Sequence, residues 1–196
     1  FAAVIAAAGL AIGLAFQGTL SNFSAGVMLL VFRPFKVGDL VNISEIVGVV
    51  EEIDLFTSAI NTPDNRKIII PNGSIVSNVI ENLNAQDRRR VDIAVGVDYG
   101  ADVDEVRKIL EKCVEDVPKI LDDPGAQIFL SELGASSVDW QVRLWCEPAN
   151  YWDVHQAGIR AVKKALDEAG ISIPFPQQDV HLDTDVVEAL TATKAA

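Results

Sequence analysis

The chain opens on a run, Phe1 to Phe32, that is rich in apolar and small residues and holds no charged side chain; the first charge is Arg33. At about 1.5 Å per residue a helix of that length would reach roughly 48 Å, well beyond a hydrocarbon core of about 30 Å. One straight crossing therefore does not account for the whole run. After Pro34 the pattern changes to short β-branched stretches, Val37 to Ile43, Val47 to Ile53, Thr57 to Thr62 and Lys67 to Ile70. Turn signals such as Pro63-Asp64-Asn65 and Pro71-Asn72-Gly73 separate them, and this spacing predicts a small, barrel-like β unit over residues 33–85.

From Val91 the pattern changes again. It predicts a strand over 91–97, an amphipathic helix over about 103–117, strands near 126–132 and 137–146, and a second helix over about 150–169. Val106, Ile109, Leu110 and Val114 form the apolar face of the first helix. That order reads as an α+β domain over 91–177, ferredoxin-like in plan. Gly134-Ala135-Ser136-Ser137 reads as a hairpin turn, Gly170 as the glycine that stops the second helix, and Pro174 and Pro176 as the cause of an extended exit.

Residues 1–17 sort by size when placed at 100° per residue around a helix. Leu10, Leu14, Ala3 and Ala6 point one way, with Gln17 just below them. Ala7, Ala11 and Gly18 lie on one flank, Ala2, Gly9 and Gly13 on the other, and bulky Val4, Ile5, Ile12 and Phe16 at the back. Small residues on both flanks let a helix approach a neighbour on each side, and a helix flanked twice by copies of itself builds a ring. In such a ring Leu10 and Leu14 face the axis, and two leucine rings make a constriction that excludes water when narrow. A single-pass anchor, or a dimer through Gly9 and Gly13 alone, remains open on the same residues. Gly18 and Gly26 are candidate hinges, since glycine lowers helix propensity by about 1 kcal/mol relative to alanine. A bend at Gly18 would resolve the length problem; Gly26 reads equally as a close-packing site.

Charge adds an asymmetry that apolar patterning does not show. Residues 33–90 hold 7 basic and 8 acidic side chains, whereas residues 91–196 hold 9 and 20, so nearly all of the net −12 lies in the second domain. An acidic surface repels phosphates and excludes a nucleic-acid partner, and Arg88-Arg89-Arg90 reads as a solvated linker. Arg33 and Lys36, directly after the apolar run, place that end of it in the cytoplasm. With no basic stretch before it and Phe1 in place of a methionine, the run does not read as a secretory signal, and the expectation is a fragment missing its true N-terminus. Cys113 and Cys146 are too few and too isolated for a disulfide framework or zinc site and read as buried thiols.

Catalytic chemistry finds little support. His155 and His181 have no cysteine or carboxylate at ligand spacing, and the sequence holds no phosphate-cradling glycine loop or nucleophile elbow. Asp102 to Glu105 reads as helix N-terminal charge and Asp122-Asp123 as a solvated loop. The expectation is a non-enzyme without cofactor or metal.

Several separated motifs resemble the small-conductance mechanosensitive channel family, MscS-like. They are Ala8-Gly9-Leu10-Ala11-Ile12-Gly13-Leu14-Ala15-Phe16-Gln17-Gly18, Leu20-Ser21-Asn22, and Phe32-Arg33-Pro34-Phe35-Lys36-Val37-Gly38-Asp39. Ile70-Pro71-Asn72-Gly73, Leu133-Gly134-Ala135-Ser136-Ser137 and Ala169-Gly170-Ile171-Ser172-Ile173-Pro174-Phe175-Pro176 follow in order. The resemblance implies a membrane protein with a pore-lining helix over 1–32, sealed by Leu10 and Leu14, packed through Ala7, Gly9, Ala11 and Gly13, and broken at Gly18, with Gly26 as a second flexible point. It implies an Sm-like β domain, an α+β domain, a strand at 178–183 closing an oligomeric barrel below a hollow chamber, and a homo-oligomer, the heptamer. It further implies a bacterial-type inner membrane, lipid contacts, ions and small solutes as permeants, and opening under tension in hypo-osmotic shock. The family's preceding transmembrane helices are absent from this sequence, and the tail at 184–196 matches no assigned pattern. A membrane-anchored scaffold or binding module is the competing reading.

Overall fold

A computed structural model describes residues 1–181 and divides the chain into two compact units, Phe1–Arg89 and a second that begins at Arg90. The first unit opens with helix α1, Ala2–Phe32, in which helical residues continue through both Gly18 and Gly26. The break implied at Gly18 is therefore not present. A lone glycine costs only about 1 kcal/mol against alanine, too little to release a ladder whose neighbouring bonds persist. The Gly18 carbonyl also accepts a bond from the Asn22 side-chain amide at 3.0 Å. Any bend takes place within a continuous helix. The helix stops at Arg33, which adopts a left-handed conformation (φ 49°) and returns its N–H to the Leu29 carbonyl at 3.0 Å.

The β-branched stretches become β1 (Leu40–Ile43), β2 (Ile46–Ile53), β3 (Thr57–Asn61) and β4 (Lys67–Pro71), followed by a short helix α2 (Asn72–Val76) and β5 (Ile80–Asn82). They form one antiparallel sheet in the order β4-β3-β2-β1-β5. A register shift between Val50 and Glu52 interrupts the β2–β3 ladder; such bulges bend and twist a strand. The core holds Phe35, Val41, Ile43, Val50, Ile60 and Ile75 together with Leu29 of α1, so the end of the apolar helix is itself a core element of the β unit.

The second unit comprises β6 (Arg89–Val97), α3 (Val103–Glu115), β7 (Ala126–Leu133), β8 (Val138–Cys146), a 3-10 turn at Pro148–Asn150, and α4 (Tyr151–Glu168). Its sheet runs β6-β8-β7. Alternate residues of β8, from Val138 through Trp140, Val142 and Leu144 to Cys146, are buried against Val106, Leu110, Val154, Val162 and Leu166 of the helices. Asp102 caps α3 by accepting from the Asp104 and Glu105 backbone N–H groups, both at 2.9 Å, which accounts for that acidic cluster structurally. At the end of α4, Gly170 (φ 69°) donates to Asp167 and Ile171 donates back to Leu166, the paired bonds of a Schellman stop.

One expectation needs correction here. Arg89 and Arg90 belong to β6 and not to a linker; Arg90 clasps Asp92 through two bonds of 2.7 and 2.9 Å on the strand's outer face. The second unit follows the expected ferredoxin-like α+β plan. The β6-β8-β7 order matches its first three strands, but after Gly170 the chain only brushes β6's end, where Asp98 donates to the Ser172 carbonyl at 3.0 Å. Pro174 and Pro176 lack the N–H groups that a fourth strand would need. Residues 178–181 of the expected 178–183 strand carry no strand structure, while the rest of it and the 184–196 tail lie outside the described residues. A strand whose partners are other copies has no ladder to join within one chain.

Candidate pore segment and its seat on the β unit

Every residue from Ala2 to Ser21 of α1 is exposed, including Leu10 (66%) and Leu14 (62%). This is an inverted surface for a protein in water, since contiguous exposed apolar area marks membrane or partner contact. A Cβ placed on Gly9, Gly13 or Gly18 would meet nothing within 4 Å. Their flanks stand open within one chain, as do Ala7 and Ala11. Gly9, Leu10, Gly13, Leu14 and Gln17 line one shallow groove along the helix.

The lower part of α1 is different in kind. Asn22, Ala25, Gly26 and Leu29, spaced by three and four, form a stripe that turns inward, the last three buried and Asn22 half-buried. A Cβ on Gly26 would lie 2.1 Å from the Leu55 carbonyl oxygen and 2.7 Å from the Asn72 side-chain nitrogen. Close packing is thus what Gly26 provides, whichever motion it also permits. Asn22 accepts the Gly73 backbone N–H at 2.8 Å while donating to Gly18, which ties the candidate hinge to α2 through one side chain. Phe23 and Phe56 add a ring contact at 5.9 Å between centroids.

Asn72 holds the other side of this seat. Fully buried, it donates to the Asp54 carbonyl at 2.7 Å and accepts from Ser58 Oγ at 2.8 Å, so the start of α2 is stapled to β3 and the loop before it. Sequence reasoning missed both asparagines. Both stand in motifs that carry the resemblance, but with no role attached: Pro71-Asn72-Gly73 reads as a turn, and Asn22 lies beyond the stretch that the wheel covered; a polar residue in phase with Ala25, Gly26 and Leu29 was the available signal.

The remaining candidates are dispersed. Cys113 is buried in α3, and burial pushes its thiol up to about 11, the inert state of a packed cysteine. His155 packs against the rings of both Tyr151 and Trp152 on α4, whereas His181 is exposed on the exit segment. Among the described residues no group of three His, Cys, Asp or Glu is placed to hold a metal.

Two family descriptions match in succession: the β-domain of mechanosensitive ion channels over residues 18–85, and the C-terminal region of the mechanosensitive ion channel MscS over 91–173. The small-conductance mechanosensitive channel of Edwardsiella ictaluri is 47% identical over 176 residues, which span 90% of this chain and 62% of that protein. The closed-state crystal structure of Helicobacter pylori MscS superposes with a TM-score of 0.88 at 31% identity, covering 93% of this chain and 72% of that one. This chain belongs to the MscS-like family of mechanosensitive channels. Arabidopsis thaliana MSL1, at 20% identity and a TM-score of 0.73, shares the fold. The MscS-like β-domain match begins at residue 18, so it takes in the lower part of α1, the part that here packs with β1–β5 as one body. The chain spans less than two thirds of the length of the Edwardsiella channel.

Proposed function

We propose that this chain is the pore helix and cytoplasmic part of a channel subunit that opens under membrane tension and releases ions and small solutes during hypo-osmotic shock. The observation that carries the reading is the helix Ala2–Phe32, which is long and apolar enough to cross a membrane, uncovered over its first twenty residues and core-packed at its end. One half needs lipid or copies of itself, and the other is fixed to a folded unit.

In the assembly proposed, copies of α1 pack through Ala7 and Ala11 on one flank and Gly9 and Gly13 on the other, and turn Leu10 and Leu14 to the axis. A homo-oligomer, the heptamer of the resemblance, fits this arrangement. The full-length protein crosses a bacterial-type inner membrane several times, with residues after about 33 in the cytoplasm. Gly18 serves as the hinge of a continuous helix, restrained by Asn22. No catalytic role is assigned.

Replacing Leu10 or Leu14 by Ser hydrates the constriction, so patches under suction should open at lower tension and cells expressing the variant should grow poorly. Thresholds equal to the parent's in both variants would remove these leucines from the gate. Gly13→Leu should shift the threshold strongly and Ile12→Leu, on the back of the helix, only mildly; the reverse order would overturn the wheel.

A further inference from the structure

Asn72-Gly73 is the only Asn-Gly pair in the sequence. Such a pair carries a latent reaction, because glycine has no side chain to keep its backbone nitrogen away from the asparagine carbonyl carbon. Once the Gly73 N–H gives its proton to hydroxide, the nitrogen can attack Asn72 Cγ. A C–N bond forms, the Cγ–Nδ2 bond breaks and ammonia leaves, which closes a five-membered imide. Water then opens the ring at either carbonyl and leaves aspartate or isoaspartate, with no oxidant or reductant involved.

The fold restrains both partners of this reaction. The Asn72 amide is fully buried and held at each end, Nδ2 donating to the Asp54 carbonyl at 2.7 Å and Oδ1 accepting from Ser58 Oγ at 2.8 Å. To approach the Gly73 nitrogen, the side chain must turn and release those bonds. The nucleophile is occupied as well. Gly73 lies in the first turn of α2, where a backbone N–H finds no carbonyl of its own helix, and Asn22 Oδ1 of α1 accepts it at 2.8 Å. Gly26 of α1 packs against the same amide, since a Cβ there would lie 2.7 Å from Asn72 Nδ2. Two restraints thus come from the β unit and two from α1, so the reactivity of the pair depends on whether α1 is seated.

We propose that Asn72-Gly73 is a deamidation site guarded by α1, intact while α1 is seated and converted to aspartate or isoaspartate when α1 lifts away. The conversion runs one way. An aspartate at position 72 has no amide N–H for the Asp54 carbonyl and brings a carboxylate into a fully buried position, which costs far more than the neutral amide did. Isoaspartate also inserts a methylene into the backbone within the first turn of α2. A converted subunit re-forms the seat poorly, so the modification records the time that α1 has spent off the β unit.

The test incubates the assembled full-length protein at mildly alkaline pH beside the urea-unfolded chain and follows the peptide that contains residue 72 by mass spectrometry, where replacement of NH2 by OH gives a heavier product. The assembled parent should convert far more slowly than the unfolded chain. Asn22→Leu keeps an apolar helix but removes the acceptor, and should raise the rate in the assembly about fivefold, the scale of one lost hydrogen bond. Asn22→Asp retains an acceptor oxygen and should stay near the parent rate. Gly26→Ala disturbs the seat through a different contact and should also speed conversion, so a leucine variant that fails to assemble does not remove the test. Equal rates in the parent, leucine and alanine variants overturn the guard, as does an Asn22→Asp variant that converts as fast as Asn22→Leu. An assembled parent that converts as fast as the unfolded chain overturns the protection altogether.

Discussion

Gly26 and Gly18 have the same sequence signature, a glycine inside an apolar helix, and opposite surroundings. The first presses against the Leu55 carbonyl and the second faces open space. Gly26→Ala cannot be relieved by rotating a flexible side chain, because the obstructing atom is backbone 2.1 Å away. It should lift α1 from its seat and destabilise the β unit by about 1–3 kcal/mol, seen as a lower thermal midpoint of the purified assembly. Gly18→Ala should instead stiffen the helix by about 1 kcal/mol per subunit, with an equal or higher midpoint and altered closing or inactivation. If both variants melt together, the seat is looser than these distances imply. Asn22 was invisible as a functional residue because its meaning depends on Gly73, fifty-one positions away.

Among elements, α1 has two characters within one hydrogen-bonded ladder. Its upper part is specified by what would surround it and its lower part by the unit beneath. Periodicity finds the first readily, since size sorts around the wheel. It finds the second poorly, because in Asn22, Ala25, Gly26 and Leu29 only Leu29 is a large apolar residue. The helices of the second unit were legible to within a few residues, since α3 carries a regular apolar face and both its start and the end of α4 carry their own stop chemistry. Asp102→Ala removes two bonds to the first turn of α3 and should cost about 1 kcal/mol, read as a lower thermal midpoint. Asp122→Asn, in the exposed loop before β7, should leave the midpoint unchanged.

For the whole molecule, charge location sets an expectation about permeation. Residues 91–196 carry 9 basic and 20 acidic side chains. If this domain walls the solute path in the proposed oligomer, its carboxylates enrich cations near the entrance. Screening over a Debye length of about 8 Å at physiological salt restricts the effect to carboxylates that line the path. The expected result is a modest cation lean in reversal potentials at low salt that fades at high salt. No shift at low salt, or one toward the chloride equilibrium potential, would place those carboxylates on outward surfaces.

Local interactions decided what the sequence could determine alone. The apolar run, the β-branched stretches, the amphipathic face of α3, the Gly134–Ser137 turn and the Gly170 stop each depend on neighbours within a few positions. Tertiary structure decided the rest. It made Asn72 a buried staple where the sequence shows a turn, placed Arg89 and Arg90 in a strand, recruited β5 to the edge of β1, and kept helical order across Gly18. In each case the deciding partner is remote in sequence or the competing energies differ by about 1 kcal/mol, which local pattern does not resolve.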